Sequence, residues 1–253
     1  MCTFLILRRP DQPWPVLIAA NRDEMIERPA APPARHWPDR PEVVAGRDLL
    51  AGGSWLGLND WGVAAAVLNR HGSLGPIAGR RSRGELVLEA LDHADAVAAA
   101  EALSHLDPDA YRTFNLIVAD SRDAFWLRHA GTGAVAVRPI GEGLSLIAAG
   151  DLNETATRRL ALARPRFAAA APPDPDRGEF ASWEGLLAST DSPPGEPPNA
   201  ALRFRLPDGF ATVSSALIAL PATDLPEKRP VFRFAEWLPN PAPWRDVLGP
   251  ASG

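Results

Sequence analysis

Short apolar runs separated by turn residues recur along this chain, and helical periodicity interrupts them in only two places. Thr3–Leu7 and Val16–Ala20 flank the turn-rich Arg8–Pro15, which predicts a hairpin. Ser54–Leu58 and Val63–Leu68 flank Asn59-Asp60-Trp61-Gly62 and predict a second one. Ser82-Arg83-Gly84-Glu85 then has the Ser-x-x-Glu form of a capping box, with Leu86, Val87, Ala90 and Leu91 at helical spacing behind it. The Ala-rich Asp95–Leu106 predicts a second helix or a continuation of the first. Four strands follow, Phe114–Ala119, Ala124–Arg128, Ala134–Arg138 and Leu144–Ala149, joined by short Gly- and Ser-containing turns. Thr155–Ala163 and Ser182–Ser189 are helical in pattern, and Thr212–Leu220 and Val231–Phe234 close the chain as strands. Strands cluster without alternating one-for-one with helices, so the pattern predicts an α+β fold with mostly antiparallel sheets. The 253 residues, 46% hydrophobic, suffice for one large core, and 1–253 is read as a single domain. Proline-rich stretches at Pro29–Pro41, Pro172–Pro175 and Pro193–Pro198 read as loops.

A formal net charge of -5 argues against nucleic-acid binding, which needs a basic field. No apolar run approaches the ~20 residues of a membrane span, and the apolar start runs into Arg8, Arg9 and Pro10 rather than a signal peptide. The five histidines, His36, His71, His93, His105 and His129, have no metal-ligand spacing, and neither a metal nor a cofactor is implied. His36 and His71 lie in loops close to the segments singled out below, where one could line a pocket. A single cysteine excludes an intrachain disulfide and fits a reducing, cytoplasmic compartment.

That cysteine, Cys2, directly follows Met1. With Met1 removed, thiol and α-amine share one residue, and the amine can act as base for its own nucleophile. The competing reading is a small buried hydrophobe at a strand start. Oxidation sensing is a third, with no resolving cysteine in the chain. Asn21-Arg22-Asp23-Glu24 directly follows the second apolar run. If Arg8 pairs with Pro15, Cys2 faces Asn21, and Asn21 and Asp23 share its face. A one-residue slip brings Arg22, Ala20 and Glu24 there instead. In both registers a carboxylate that can hold an ammonium lies near the N-terminus, with a guanidinium that lowers a thiol pKa close by. Asn69 ends the apolar Val63–Leu68 run and is either a turn residue or a non-titrating oxyanion donor. Arg80, Arg81 and Arg83 precede a helix start and form either a solvated loop or an anion site suited to a phosphate-bearing ligand.

Met1-Cys2-Thr3, Ala19-Ala20-Asn21-Arg22-Asp23-Glu24, Gly52-Gly53-Ser54-Trp55-Leu56-Gly57, Asn69, Arg83-Gly84-Glu85-Leu86-Val87 and Phe114-Asn115-Leu116 together resemble the NRDE family. This is the transport and Golgi organisation protein family of animals, with many bacterial members, and the resemblance runs from Met1 to about Phe234. The family is similar in turn to cysteine N-terminal-nucleophile hydrolases of the choloylglycine-hydrolase type. The resemblance implies a four-layer αββα sandwich with the nucleophile on a strand at one sheet's edge. It carries the nucleophile to Cys2, the paired arginine and aspartate to Arg22 and Asp23, and the oxyanion asparagine to Asn69. A second asparagine maps to Asn153, which could equally cap a helix. A later arginine has no counterpart, because Val213 stands in its position.

The resemblance therefore implies a hydrolase acting on a linear amide or acyl compound, with Cys2, Arg22, Asp23 and Asn69 catalytic. Asn21, Glu24, Asn153 and Arg83 would contact the small-molecule substrate. The alternative is a non-catalytic protein on the same fold that binds or moves haem or an acyl-coenzyme A, with Cys2 or a histidine available to ligate haem.

Overall fold

The computed structural model describes residues 2–75 and 77–249. Its strands and helices are, in chain order, β1 (Thr3–Arg8), β2 (Val16–Met25), β3 (Ala30–Ala34), β4 (Val43–Asp48), β5 (Leu56–Asn59), β6 (Ala64–Asn69), α1 (Gly84–Leu91) and α2 (Ala96–Ser104). There follow β7 (Phe114–Ala119), β8 (Ala124–His129), β9 (Ala136–Pro139), β10 (Gly143–Ile147), α3 (Arg158–Ala169), α4 (Ala181–Ala188), β11 (Phe210–Leu220), β12 (Val231–Glu236) and β13 (Ala242–Asp246). They form two antiparallel sheets, one ordered β10-β1-β2-β11-β12-β13 and the other β3-β4-β5-β6-β7-β8-β9. The chain divides into two compact units, Met1–Arg28 with Glu142–Gly253, and Pro29–Gly141. Residues 29–141 are thus an insertion in the chain that builds the first unit.

In the first unit α3 and α4 cover one face of the sheet. Leu160, Ala163 and Phe167 on α3, and Trp183 and Leu187 on α4, join Leu5, Leu17, Ala19 and Leu217 in one buried cluster. Phe167 and Trp183 meet edge to face at 5.2 Å between ring centres. Arg159 shares the apolar stripe of α3 and is itself buried. β1 is not an edge strand, as the resemblance implied: β10 pairs along it from Phe4 to Arg8 and lies outside it.

In the second unit small residues let a helix sit close to the sheet. Ala45, Gly57 and Ala65 pair side by side across β4, β5 and β6. A Cβ on Gly57 would come within 2.5 Å of the Ala45 methyl and 2.8 Å of Leu91 on α1. Gly53 and Gly84 are in similar close approach, and Ser54 donates its N–H to the Gly84 carbonyl at 3.0 Å. The Gly53-Ser54 and Gly84-Glu85 motifs are therefore two sides of one contact.

Several local expectations need correction. The Ser82 capping box does not form. Ser82 Oγ accepts from Gly84 N at 3.2 Å, while the Glu85 carboxylate turns to Arg81. The proline-rich 29–41 stretch contains strand β3, which tolerates Pro32 and Pro33 because it is an edge strand with one unpaired side. β2 runs on to Met25, so Asn21–Glu24 lie inside the strand rather than beyond it.

Candidate active site

The first hairpin takes the second of the two registers considered. Thr3 pairs with Asn21 and Arg8 with Val16, so residue numbers of partners sum to 24. The reason is in the loop: Arg9 N donates to Pro15 O at 2.7 Å, Gln12 N to Arg9 O at 3.0 Å, and Trp14 is buried beneath. A tight closure at Arg9 and Pro15 leaves Arg8 opposite Val16. One residue of slip moves every side chain to the other face. Thr3, Leu5, Ala19, Asn21 and Asp23 consequently point towards the helices, and Cys2 and Arg22 alternate onto the opposite face.

Cys2 is half-buried just before β1. Its Sγ accepts from Asp23 N at 3.4 Å and lies 3.7 Å from Asp23 O. Burial pushes the thiol above its ordinary pKa, and the Asp23 carboxylate pushes it the same way. The Asp23 main-chain contact and the Arg22 guanidinium act in the opposite direction without overcoming these. At neutral pH the thiol therefore holds its proton, and nucleophilic attack needs a base to take it. Arg22 is buried, 4.0 Å from the Glu24 carboxylate, which also lies 3.7 Å from Arg28. Glu24 is the first of the four motif residues to retain solvent exposure.

On the helix face the motif builds a buried polar network. The Asp23 side chain is fully buried and receives Arg159 Nη1 at 2.5 Å and the Thr212 hydroxyl at 2.7 Å. Arg159 also donates to Thr3 Oγ1 at 3.2 Å and to the Asn199 carbonyl at 2.8 Å, and its guanidinium lies 4.6 Å from the Phe204 ring centre. The amide of Asn21 donates to the Leu187 and Leu202 carbonyls at 3.1 and 2.8 Å, while its oxygen accepts from Ser215 Oγ. Asn21 thus straps α4 and the segment before β11 to the sheet, and its amide hydrogens are committed to those carbonyls.

Asn153 has a positive φ of 61°. It caps no helix: its side chain accepts from Leu146 N, donates to Ser145 Oγ at 3.1 Å and meets Arg164. The residues it holds, Ser145 and Leu146, pair with Ile6 and Leu5 of β1, three to four residues along the strand from Cys2. In the second unit Asn69 closes β6 opposite Phe114. Arg83 donates to Ser73 Oγ at 2.9 Å and to Thr113 O at 3.0 Å. Arg80 reaches Tyr111 O, and Arg81 pairs with Glu85 and Glu89, so this basic run binds protein acceptors. His36 is tied to Pro32 O, His71 is exposed in a turn, and buried His129 is shifted to a lower pKa by burial and then by Arg80. Among the described residues no group of three His, Cys, Asp or Glu could hold a metal ion. No helix among them is long and apolar enough to cross a membrane. The expected removal of Met1 lies outside the described residues.

Sequence reasoning missed Arg159, Thr212 and Ser215. The signal for Arg159 was an arginine on the apolar stripe of α3, which a core helix tolerates only opposite a buried carboxylate. Val213, where an arginine was expected, is the bulged residue of β11: the register with β2 jumps from Thr212–Asp23 to Ser214–Arg22.

Two antiparallel sheets with helices packed on them form a fold shared with N-terminal-nucleophile hydrolases. The model of the family described as Transport and Golgi organisation 2 matches residues 1–168, and the chain belongs to that family. The fold is similar to the Caenorhabditis elegans N-acylethanolamine-hydrolyzing acid amidase ortholog, at 12% identity and a TM-score of 0.56, over 86% of this chain and 92% of that one. It is similar to penicillin V acylase from Agrobacterium tumefaciens, at 16% identity and a TM-score of 0.52, over 98% and 86%. A mutant conjugated bile acid hydrolase from Clostridium perfringens aligns at 14% identity and a TM-score of 0.53, over 98% and 93%. No curated protein matches the sequence.

Proposed function

We propose that the protein is an N-terminal-cysteine hydrolase acting on the C–N bond of a linear amide or related acyl compound. The observation that carries this reading is Cys2 at the head of β1, its Sγ held by the Asp23 main chain, in a fold shared with an amidase and an acylase. Once Met1 is removed, the Cys2 α-amine takes the thiol proton as Sγ bonds to the substrate carbonyl carbon. The same amine returns that proton to the leaving nitrogen as the C–N bond breaks, which leaves a thioester. Water, activated by the amine, then cleaves the C–S bond and restores the thiol. A thiol pushed up by burial makes the intramolecular base necessary, because little thiolate preexists. Arg22 favours the thiolate as it forms, and the Asp23 main chain holds Sγ in place.

The test joins intact-mass analysis with turnover of acyl p-nitroanilides. The reading expects protein lacking Met1, a burst of one p-nitroaniline per chain, and no burst from Cys2→Ala. Retention of Met1 in native protein, or equal turnover by Cys2→Ala, refutes it. The second reading, a non-catalytic carrier of haem or acyl-coenzyme A, is favoured by Val213 in place of the expected arginine. It expects titratable binding that Cys2→Ala leaves unchanged, with no burst. Because Arg80, Arg81 and Arg83 are engaged with protein acceptors, haem is the better first probe of that alternative.

A further inference from the structure

A cavity of about 360 Å³ opens in the first unit, and none of the residues assigned above to the reaction lines it. The bulge at Val213 builds it. The Val213 carbonyl turns outward and accepts the N–H groups of Trp237 and Leu238 at 2.8 and 3.3 Å. This holds the residues after β12 over the start of β11. The opposite wall is the segment before β11, kept in place by Thr212 N donating to Phe204 O at 2.9 Å.

The lining is apolar on most sides, from Pro198, Phe204, Trp237 and Leu238. Against this stand two guanidinium groups, Arg203 and Arg205. Arg203 is held rigidly: its Nε donates to Ala188 O at 2.8 Å and its guanidinium stacks 4.8 Å from the Trp237 ring centre. Neither arginine forms an ion pair with a carboxylate among the described residues. The acidic residues of the preceding loop are engaged elsewhere, Asp191 with Arg166 at 3.6 Å and Glu196 with Arg158 at 2.6 Å. Two arginines lining an apolar, aromatic-walled cavity without an ion-pair partner among the described residues suit an anion with an apolar body. The volume lies near the lower end for small-molecule sites.

We propose that this cavity binds a small carboxylate with a flat apolar body, the carboxylate on Arg203 and Arg205 and the body against Phe204 and Trp237. The site does not depend on the Cys2 chemistry. Thr212 is shared between its wall and the Asp23 network, so an occupant lies one hydroxyl away from that carboxylate.

The test is calorimetric titration of the full chain with 2-naphthoate and with uncharged 2-naphthamide. The acid is expected to bind at least about tenfold more tightly than the amide. The pair Arg203→Gln/Arg205→Gln should abolish that preference, and Thr190→Trp, at the exposed lip, should block both ligands. Cys2→Ser protein should bind as wild type does, which separates this site from the proposed hydrolysis. Absence of naphthoate binding, equal binding of acid and amide, or an undiminished preference in a folded double variant overturns the proposal. Arg205→Gln alone guards against misfolding of the double variant, since Arg205 is exposed. It should weaken the acid several-fold and leave the amide unchanged, and an unchanged acid affinity counts against the proposal.

Discussion

Replacing Arg159 by methionine keeps most of the side-chain volume on α3 but removes the cation from the Asp23 carboxylate. The Asp23 side chain is 0% exposed and Arg159 6%, so water cannot take over the lost partner. Asp23 would keep the Thr212 hydroxyl, while Thr3 Oγ1 and the Asn199 carbonyl would lose a donor. Breaking a buried pair by removing one partner costs about 3–5 kcal/mol. For a chain of this size that corresponds to a fall in Tm of roughly 6–20 °C. Adding Asp23→Asn removes the stranded charge while retaining an acceptor for Thr212. The double variant should therefore recover at least about half of the loss, although simple additivity would make it worse. Urea denaturation followed by far-UV circular dichroism measures each corner of this cycle. A single variant within about 1 kcal/mol of wild type, or a double variant as unstable as the sum of the two, would refute the assignment of Asp23–Arg159 as a buried, mutually neutralising pair.

Tyr111 is the sole tyrosine, buried on the second unit, and burial and then Glu89 push its hydroxyl up to about 12. Phenolate absorbance should therefore appear near pH 12 in folded protein and about two units lower in urea; the associated stability is intact below pH 10 and is lost as pH rises towards 12. Asn21→Ala strips three hydrogen bonds from buried partners and should cost about 2–4 kcal/mol in urea denaturation, with the largest hydrogen-exchange changes at α4 and residues 202–204. Gly53→Ala forces a methyl into the Gly84 main chain and should lower stability by about 1–3 kcal/mol, whereas Gly185→Ala, which meets nothing within 4 Å, should be neutral or stabilising in the same thermal melt. If residues 1–253 are one folding domain, urea unfolds both units in a single transition; two separated transitions would make them independent domains.

Much of the element order was readable because it is written locally. Alternation and short apolar runs marked β1, the first half of β2 and β5 to β12 to within a few residues, and spacing of Leu86, Val87, Ala90 and Leu91 marked α1. Strands β3, β4 and β13 were missed. β3 carries Pro32 and Pro33, which read as loop until the strand is known to lie at an edge. Position within a sheet has no local signature.

The candidate site was legible to the same degree. Cys2 and Asn21–Glu24 stand out in the sequence by type and by order, and the antiparallel pairing of their strands follows from the short loop between them. Which of the four shares a face with the thiol depends on one residue of register, and the Arg9–Pro15 closure decides it. The counter-ion of Asp23 lies 136 residues further on. The cavity of Arg203 and Arg205 arises from a bulge that nothing around Val213 announces. The sequence by itself determined the elements and the single thiol at the head of a strand, because periodicity and chemical type are properties of neighbouring residues. Only the tertiary structure decided the faces, the Asp23–Arg159 pair and the unpaired arginines of the cavity. Burial and charge compensation are set by distances between segments that are remote along the chain.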